Sequence, residues 1–169
     1  MTHSSDLQLA AIDRVHALFS PARLEYWLFG GWAVDFHAGT VTREHGDVDI
    51  AVWLADLPRI SELLIGDGWR HAPTEDEDGG TGYERDGVRL ELTYLVRDGG
   101  LVFTPLREGR ATWAEGAFAD DVRELLGVRG RVVSLAPLMR SKASARDDTE
   151  EAAKDAADHA TLSRISRPG

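Results

Sequence analysis

The chain has 169 residues, 43% of them hydrophobic, enough for one domain with a real core and room for a small helical appendage. Its 19 Lys+Arg against 29 Asp+Glu give a formal net charge of -10. A nucleic-acid substrate would be met against the overall field, whereas a cationic small partner suits the surface, although acidity also serves simply as a solubility device. Cysteine is absent, which excludes disulfides, thiolate zinc sites and a catalytic thiol.

The opening "MTHSSDLQLAAIDRV" has neither a basic leader nor a continuous apolar core, and no apolar run approaches the roughly 18 residues of a membrane span. The expectation is a soluble, cytoplasmic protein. Leu9, Ile12, Val15, His16 and Phe19 recur at helical spacing, with Ser5 or Asp6 as the cap and Pro21 as the stop. "EYWLFGG", 25–31, reads as a short strand and a tight turn, and "WAVDFHAG" as a short helix ending at Gly39. Val48 to Leu54 is β-rich, and Leu57 to Leu64 is helical with Pro58 early and Gly66 late.

After "GWRHA" come an acidic loop, "PTEDEDGGTG", and a hairpin, "GYERDGVRLELTYLV", with "RDG" as its turn. "LVFTP", 101–105, is a candidate strand, while "ATWAEGAFADDVRELLGV", 111–128, mixes helix and turn signals and supports no assignment. "GRVVSLA", 130–136, reads as the last strand, Pro137 opens a helix through Arg146, and "DDTEEAAKDAADHATLSRI", 147–165, is an Ala-rich helix. The pattern predicts an α/β (α+β) fold: a mixed sheet flanked by helices, followed by a helical tail.

The chemistry concentrates in "REHGDVDIAVW", 43–53. In an extended strand alternate residues share a face, so Asp47, Asp49, Ala51 and Trp53 project one way and Val48, Ile50, Val52 and Leu54 the other. Two like charges side by side repel. Either Arg43 or His45 folds back on them, or a divalent ion with a taste for hard oxygen ligands, such as Mg²⁺, sits between them. In "VRLELTYLV", Glu91 interrupts a strand otherwise suited to the core. If that strand neighbours the Asp47 strand, three carboxylates converge; otherwise Glu91 faces solvent beside Arg89. Gly30 and Gly31, between a strand and a helix, leave backbone N–H groups open to an anion at a helix N-terminus, or serve only as a turn.

The segment "YWLFGGWAVDFHAGTVTREHGDVDIAVW", 26–53, resembles the small antibiotic nucleotidyltransferases of the lincosamide and aminoglycoside 2''-type, within the polymerase-β-like nucleotidyltransferase superfamily. The match runs through "GGW", Asp35, "TREH" and the D-x-D; "LEL" at 90–92 takes the place of the third carboxylate and "KDAAD", 154–158, that of the tail helix. The resemblance implies transfer of a nucleoside monophosphate, usually AMP from ATP, to an antibiotic hydroxyl with release of pyrophosphate. Asp47, Asp49 and Glu91 would hold two Mg²⁺ ions, with Glu91 taking the hydroxyl proton. Gly30, Gly31 and the Trp32 amide would cradle phosphate, and Arg43 and Lys154 would neutralise the leaving pyrophosphate.

On this reading residues 1–136 form the catalytic domain, and 137–169 a helical tail packed on it. The partner is a small-molecule antibiotic acceptor, without nucleic acid or membrane, and a homodimer is the family expectation. Glu91 stands where several relatives carry Asp. His45 either buttresses the Asp47 turn or touches ligand, and Trp113 either stacks on the acceptor or belongs to the core. The alternative function is a minimal nucleotidyltransferase modifying a protein partner, as in a toxin-antitoxin pair; "GGW" in place of G-S before the D-x-D favours the antibiotic enzyme.

Overall fold

The computed structural model describes residues 1–143 and 149–166. Helix α1 (His3–Phe19) starts earlier than the sequence suggests. Thr2 caps it, accepting the Ser5 amide at 3.2 Å, so Ser5 lies inside the first turn and is buried. Strand β1 (Tyr26–Phe29) runs straight into α2 (Gly30–Ala38), and a loop leads to β2 (Val48–Trp53). Leu54, expected to continue the strand toward the core, instead opens a 3-10 turn, Leu54–Asp56, and is 37% exposed. That turn feeds α3 (Leu57–Gly66), with Pro58 in its first turn, where a missing N–H costs nothing.

The remaining strands are β3 (Arg70–His71), β4 (Gly80–Arg85), β5 (Val88–Asp98), β6 (Leu101–Pro105) and β7 (Arg110–Thr112), followed by the separate hairpin of β8 (Val122–Leu125) and β9 (Val128–Arg131). The seven-stranded mixed sheet has the order β1-β2-β5-β4-β3, and β6 joins β5 to β7 along one margin. The Asp86–Gly87 turn between β4 and β5 has φ of 51° and 78°, the paired positive values that suit a right-twisted hairpin. The strand expected over 130–136 is displaced upstream: β9 ends at Arg131, and Val132 makes one isolated bridge to Leu28.

Helix α4 (Leu135–Ala143) follows directly on Ser134, whose carbonyl accepts the Leu138 amide, so Pro137 sits in the first turn rather than opening the helix. Its expected end at Arg146 lies outside the described residues. Helix α5 (Thr149–Ser166) packs against α2 and α4.

Burial follows the alternation of β2 and β5. Val48, Ile50, Val52, Leu90 and Leu92 are almost wholly buried with Phe19, Ile12, Leu64 and Leu28, each stabilising the fold by roughly 1.5–3 kcal/mol. The other sheet face is covered at one end by an aromatic cluster, with Trp27 against Phe118 (5.0 Å) and Trp53 (5.9 Å), and Trp113 against Phe118 (5.0 Å) and Phe29 (5.5 Å). The cover reaches Ala51, which is fully buried, while Asp49 and Glu91 are only half-buried. This uneven cover positions the site.

Candidate active site

The site grows from the junction of β1 with α2. Phe29 is the N-cap residue, with extended backbone and no side-chain cap, so the first-turn amides of Gly30, Gly31 and Trp32 lack partners within the helix. Gly30 has φ of +65°, and a Cβ there would lie 2.6 Å from Asp49 Oδ2. A Cβ on Gly31 would lie 2.5 Å from His45 Cε1 and 2.8 Å from Arg43 Nη2. The bare pair is therefore needed by the protein's own side chains: Asp49 lies over one glycine, His45 and Arg43 over the other.

The loop between α2 and β2 is tied down from beneath. Asp35, fully buried in α2, accepts the Thr42 amide at 3.1 Å, the Thr42 hydroxyl at 2.5 Å and His45 Nε2 at 2.5 Å. Gln8 of α1 donates to the His45 carbonyl at 2.9 Å and accepts the Trp32 indole N–H at 2.8 Å. The Trp32 ring is buried against His45, with centroids 4.8 Å apart. His45 thus buttresses the Asp47 turn and also lines the cleft. An Asp amid the apolar residues of α2 was the sequence signal for this network; its partners were not visible.

Asp47 and Asp49 both line the cleft. Strand β2 pairs in parallel with β5, with Asp49 opposite Glu91, and β4 places Gly82 on the far side of Glu91. In-register neighbours project to the same face, roughly 5 Å apart. The Glu91 carboxylate, however, accepts the Nε–H of Arg89, two residues earlier on that face. Among the described residues no three His, Asp or Glu side chains are gathered as a metal cluster. The two strands are thus neighbours, the condition set for convergence, while the Glu91 carboxylate pairs with Arg89, as in the alternative that placed it beside that residue. Partial desolvation opposes the charge on Arg89, but Glu91 and Glu84 hold its pKa above the ordinary value.

These donors fit a divalent cation. They are hard oxygens, two on the cleft wall and the third on the neighbouring strand in register with Asp49, and bare Gly30 leaves room for the Asp49 carboxylate.

The cleft has a volume of about 650 Å³. Arg43, Lys154 and Arg140 bring positive charge to it, and Phe29, Trp113, Val133, Pro137 and Leu138 supply apolar surface. Arg43 reaches across to α5, donating to both oxygens of Asp158 at 3.0 and 2.9 Å. Asp158 is 1% exposed, so this pair joins the loop to the helix. Asp158 lies in the "KDAAD" segment, but its pairing with Arg43, and the cleft-lining role of Arg140, Pro137 and Leu138, had no local signal, since they depend on how α4 and α5 dock far along the chain from Asp47 and Asp49. Trp113 packs in the aromatic cluster, as the core alternative expected, and also lines the cleft, with its indole N–H bonded to Thr104 at 2.9 Å.

The family model for aminoglycoside-2''-adenylyltransferase matches residues 11–136. The chain belongs to that family. A 2''-aminoglycoside nucleotidyltransferase of Escherichia coli is 40% identical over 62 residues, 35% of this chain and 35% of that protein. The chain thus aligns with about a third of the length of the curated relatives it matches. Among solved structures, the lincosamide antibiotic adenylyltransferase LnuA, lincomycin-bound, is similar with a TM-score of 0.71 at 21% identity, covering 90% of this chain and 94% of that one. ANT(2'')-Ia in complex with adenylyl-2''-tobramycin is similar with a TM-score of 0.70 at 19% identity, covering 94% and 92%. At such identities the likeness is one of fold.

The part of the chain matched by the aminoglycoside-2''-adenylyltransferase model contains Gly30, Gly31, Trp32, Arg43, Asp47, Asp49 and Glu91. Lys154 and Asp158 lie beyond it, on α5.

Proposed function

We propose that this protein transfers AMP from ATP to a hydroxyl of a small antibiotic, an aminoglycoside or a lincosamide, with release of pyrophosphate. The observation that carries this reading is the register pair Asp49–Glu91, placed beside a cleft that opens at the amide end of α2.

The triphosphate fits the first-turn amides of Gly30, Gly31 and Trp32, where helix N–H groups and the helix dipole favour anions. Arg43 and Lys154 offset charge on the leaving pyrophosphate, and the wall of Phe29, Trp113, Val133, Pro137 and Leu138 excludes water and takes the nucleobase. Asp47, Asp49 and Glu91 would hold Mg²⁺, two ions in the two-metal form, which supplies charge neutralisation for the phosphates. Glu91 rotates off Arg89 and accepts the proton of the acceptor hydroxyl as the new O–P bond forms and the bond to pyrophosphate breaks.

The acceptor class is supported by the lincomycin-bound and tobramycin-adduct neighbours and by the net charge of -10. A cytoplasmic location and a homodimer belong to the same proposal. No helix among the described residues is long and apolar enough to cross a membrane.

The test is incorporation of labelled AMP into a broad panel of aminoglycosides and lincosamides, read by mass spectrometry with and without Mg²⁺. Transfer is expected with the wild type and its loss with Asp49→Asn. Absence of transfer to every member, with ATP or GTP, overturns the reading.

A further inference from the structure

The proposed reaction divides the sheet surface at Asp49. The nucleotide occupies the α2 side, so the body of the acceptor must lie on the other side, across Glu91 toward β4. There the row of paired residues runs Asp49, Glu91, Gly82. Gly82 has no side chain to offer, and its place is taken by Arg89: a Cβ on Gly82 would sit 2.6 Å from the guanidinium carbon. The guanidinium donates to the Glu91 carboxylate, to the Ala72 carbonyl at 3.0 Å and to Glu84 Oε1 at 3.3 Å.

Two carboxylates and a carbonyl around one point form a receptor for a cationic nitrogen. The receptor is open to solvent, since the side chains of Arg89, Glu91 and Glu84 are 23%, 31% and 41% exposed. Ion pairs so exposed add little to stability, while a glycine in the middle of a strand weakens it. Fold stability is therefore a poor reason for this arrangement, and its place beside the reacting carboxylate is a better one.

Resting on the reading of Glu91 as the group that meets the acceptor hydroxyl, we propose that Arg89 is a specificity-determining residue. Its guanidinium fills, between Glu84 and Glu91, the seat that would hold an ammonium group of a polycationic acceptor. The acceptor of this chain is accordingly a hydroxylated molecule that turns an uncharged face toward β4. Replacing Arg89 by a neutral residue opens an anionic subsite and redirects the site toward polyamines.

Calorimetric binding of tobramycin and of its fully N-acetylated derivative, at physiological ionic strength, reads this directly. In Arg89→Gln the ratio of the two affinities shifts about tenfold toward tobramycin, the size of one charge-assisted contact. Arg89→Lys, which keeps a cation in the seat, stays near the wild-type ratio. So does Arg97→Gln, which removes a cation that lies over Trp53 instead. If Arg89→Gln fails to fold, Arg89→Met carries the same expectation.

An unchanged ratio in the neutral variants, an equal shift in Arg97→Gln, or a wild type that itself prefers tobramycin by more than about tenfold overturns the proposal. Because binding is read without turnover, the two readings fail separately. Absence of AMP transfer with the ratio shifting as described sinks the transferase alone; transfer with an unmoved ratio sinks only the role of Arg89.

Discussion

Gly31 and His45 are packed so closely that a Cβ on the glycine would fall 2.5 Å from Cε1 of the imidazole, and His45 is pinned from behind by Asp35 at 2.5 Å. The ring has nowhere to retreat, and the helix start must shift instead. Gly31→Ala is expected to lower the unfolding free energy by about 1–3 kcal/mol. It should also reduce turnover by about a hundredfold, because the phosphate-facing amides move relative to Asp49. Gly30→Ala adds the strain of φ +65° and pushes on the Asp49 carboxylate. Steady-state rates with the two variants check this; wild-type turnover in either would show that the amides and carboxylates are not held in register.

Asp35 anchors the loop by three hydrogen bonds, two to Thr42 and one to His45, from a fully buried position. Removing one member of such a group strands the others without water. Asp35→Ala is expected to cost about 3–5 kcal/mol. In native-state hydrogen exchange the amides of 39–47 should lose protection before those of β2 and β5 do.

Trp113 and Phe29 meet edge to face at 5.5 Å on the cleft wall assigned to the nucleobase. Stacking of a base on an aromatic ring is worth about 1–3 kcal/mol. Trp113→Leu should therefore raise KM for ATP about tenfold while leaving KM for the acceptor nearly unchanged. The reverse pattern would place the acceptor, not the base, against this wall.

Two histidines make the fold acid-sensitive. Burial lowers the pKa of His37, whose Nε2–H donates to the Val133 carbonyl at 2.8 Å while Nδ1 has no hydrogen-bond partner among the described residues. Burial, then the nearby Arg131, lowers that of His16, which accepts the Tyr26 hydroxyl at 2.7 Å. Between these lowered values and the ordinary 6.5 the unfolded chain binds more protons, so stability falls as pH drops below about 6.5. Melting temperatures from pH 7 to 5 should decline, and His37→Gln should make the decline shallower. At the other extreme burial pushes Tyr26 up to about 12, so the folded state keeps its proton longer and stability is lost as pH rises from about 10 to about 12.

Where the physics is local, the residues themselves carry the fold. Alternation along 47–53 separates the carboxylates from the core face because successive strand residues point to opposite sides. The glycine pair after β1 and the "RDG" turn are likewise properties of a few adjacent residues. Over 111–128 that pattern is missing because Arg110, Ala111 and Thr112 of β7 are all exposed, and in β8 Val122, Arg123 and Glu124 are exposed with only Leu125 buried. Strands of that kind are held by pairing with β6 and β9, and so show no alternation of apolar and polar residues.

Sequence alone thus determined that Asp47 and Asp49 are set apart from the apolar face of their strand, and that a glycine pair stands between a strand and a helix, since alternation and turn formation are properties of a few adjacent residues. Only the tertiary structure decided that Glu91 stands opposite Asp49, that Arg89 claims its carboxylate over Gly82, and that Asp158 holds Arg43 from 115 residues away. Those relations depend on strand register and helix docking, which are set by the burial of the whole core and by no segment of it.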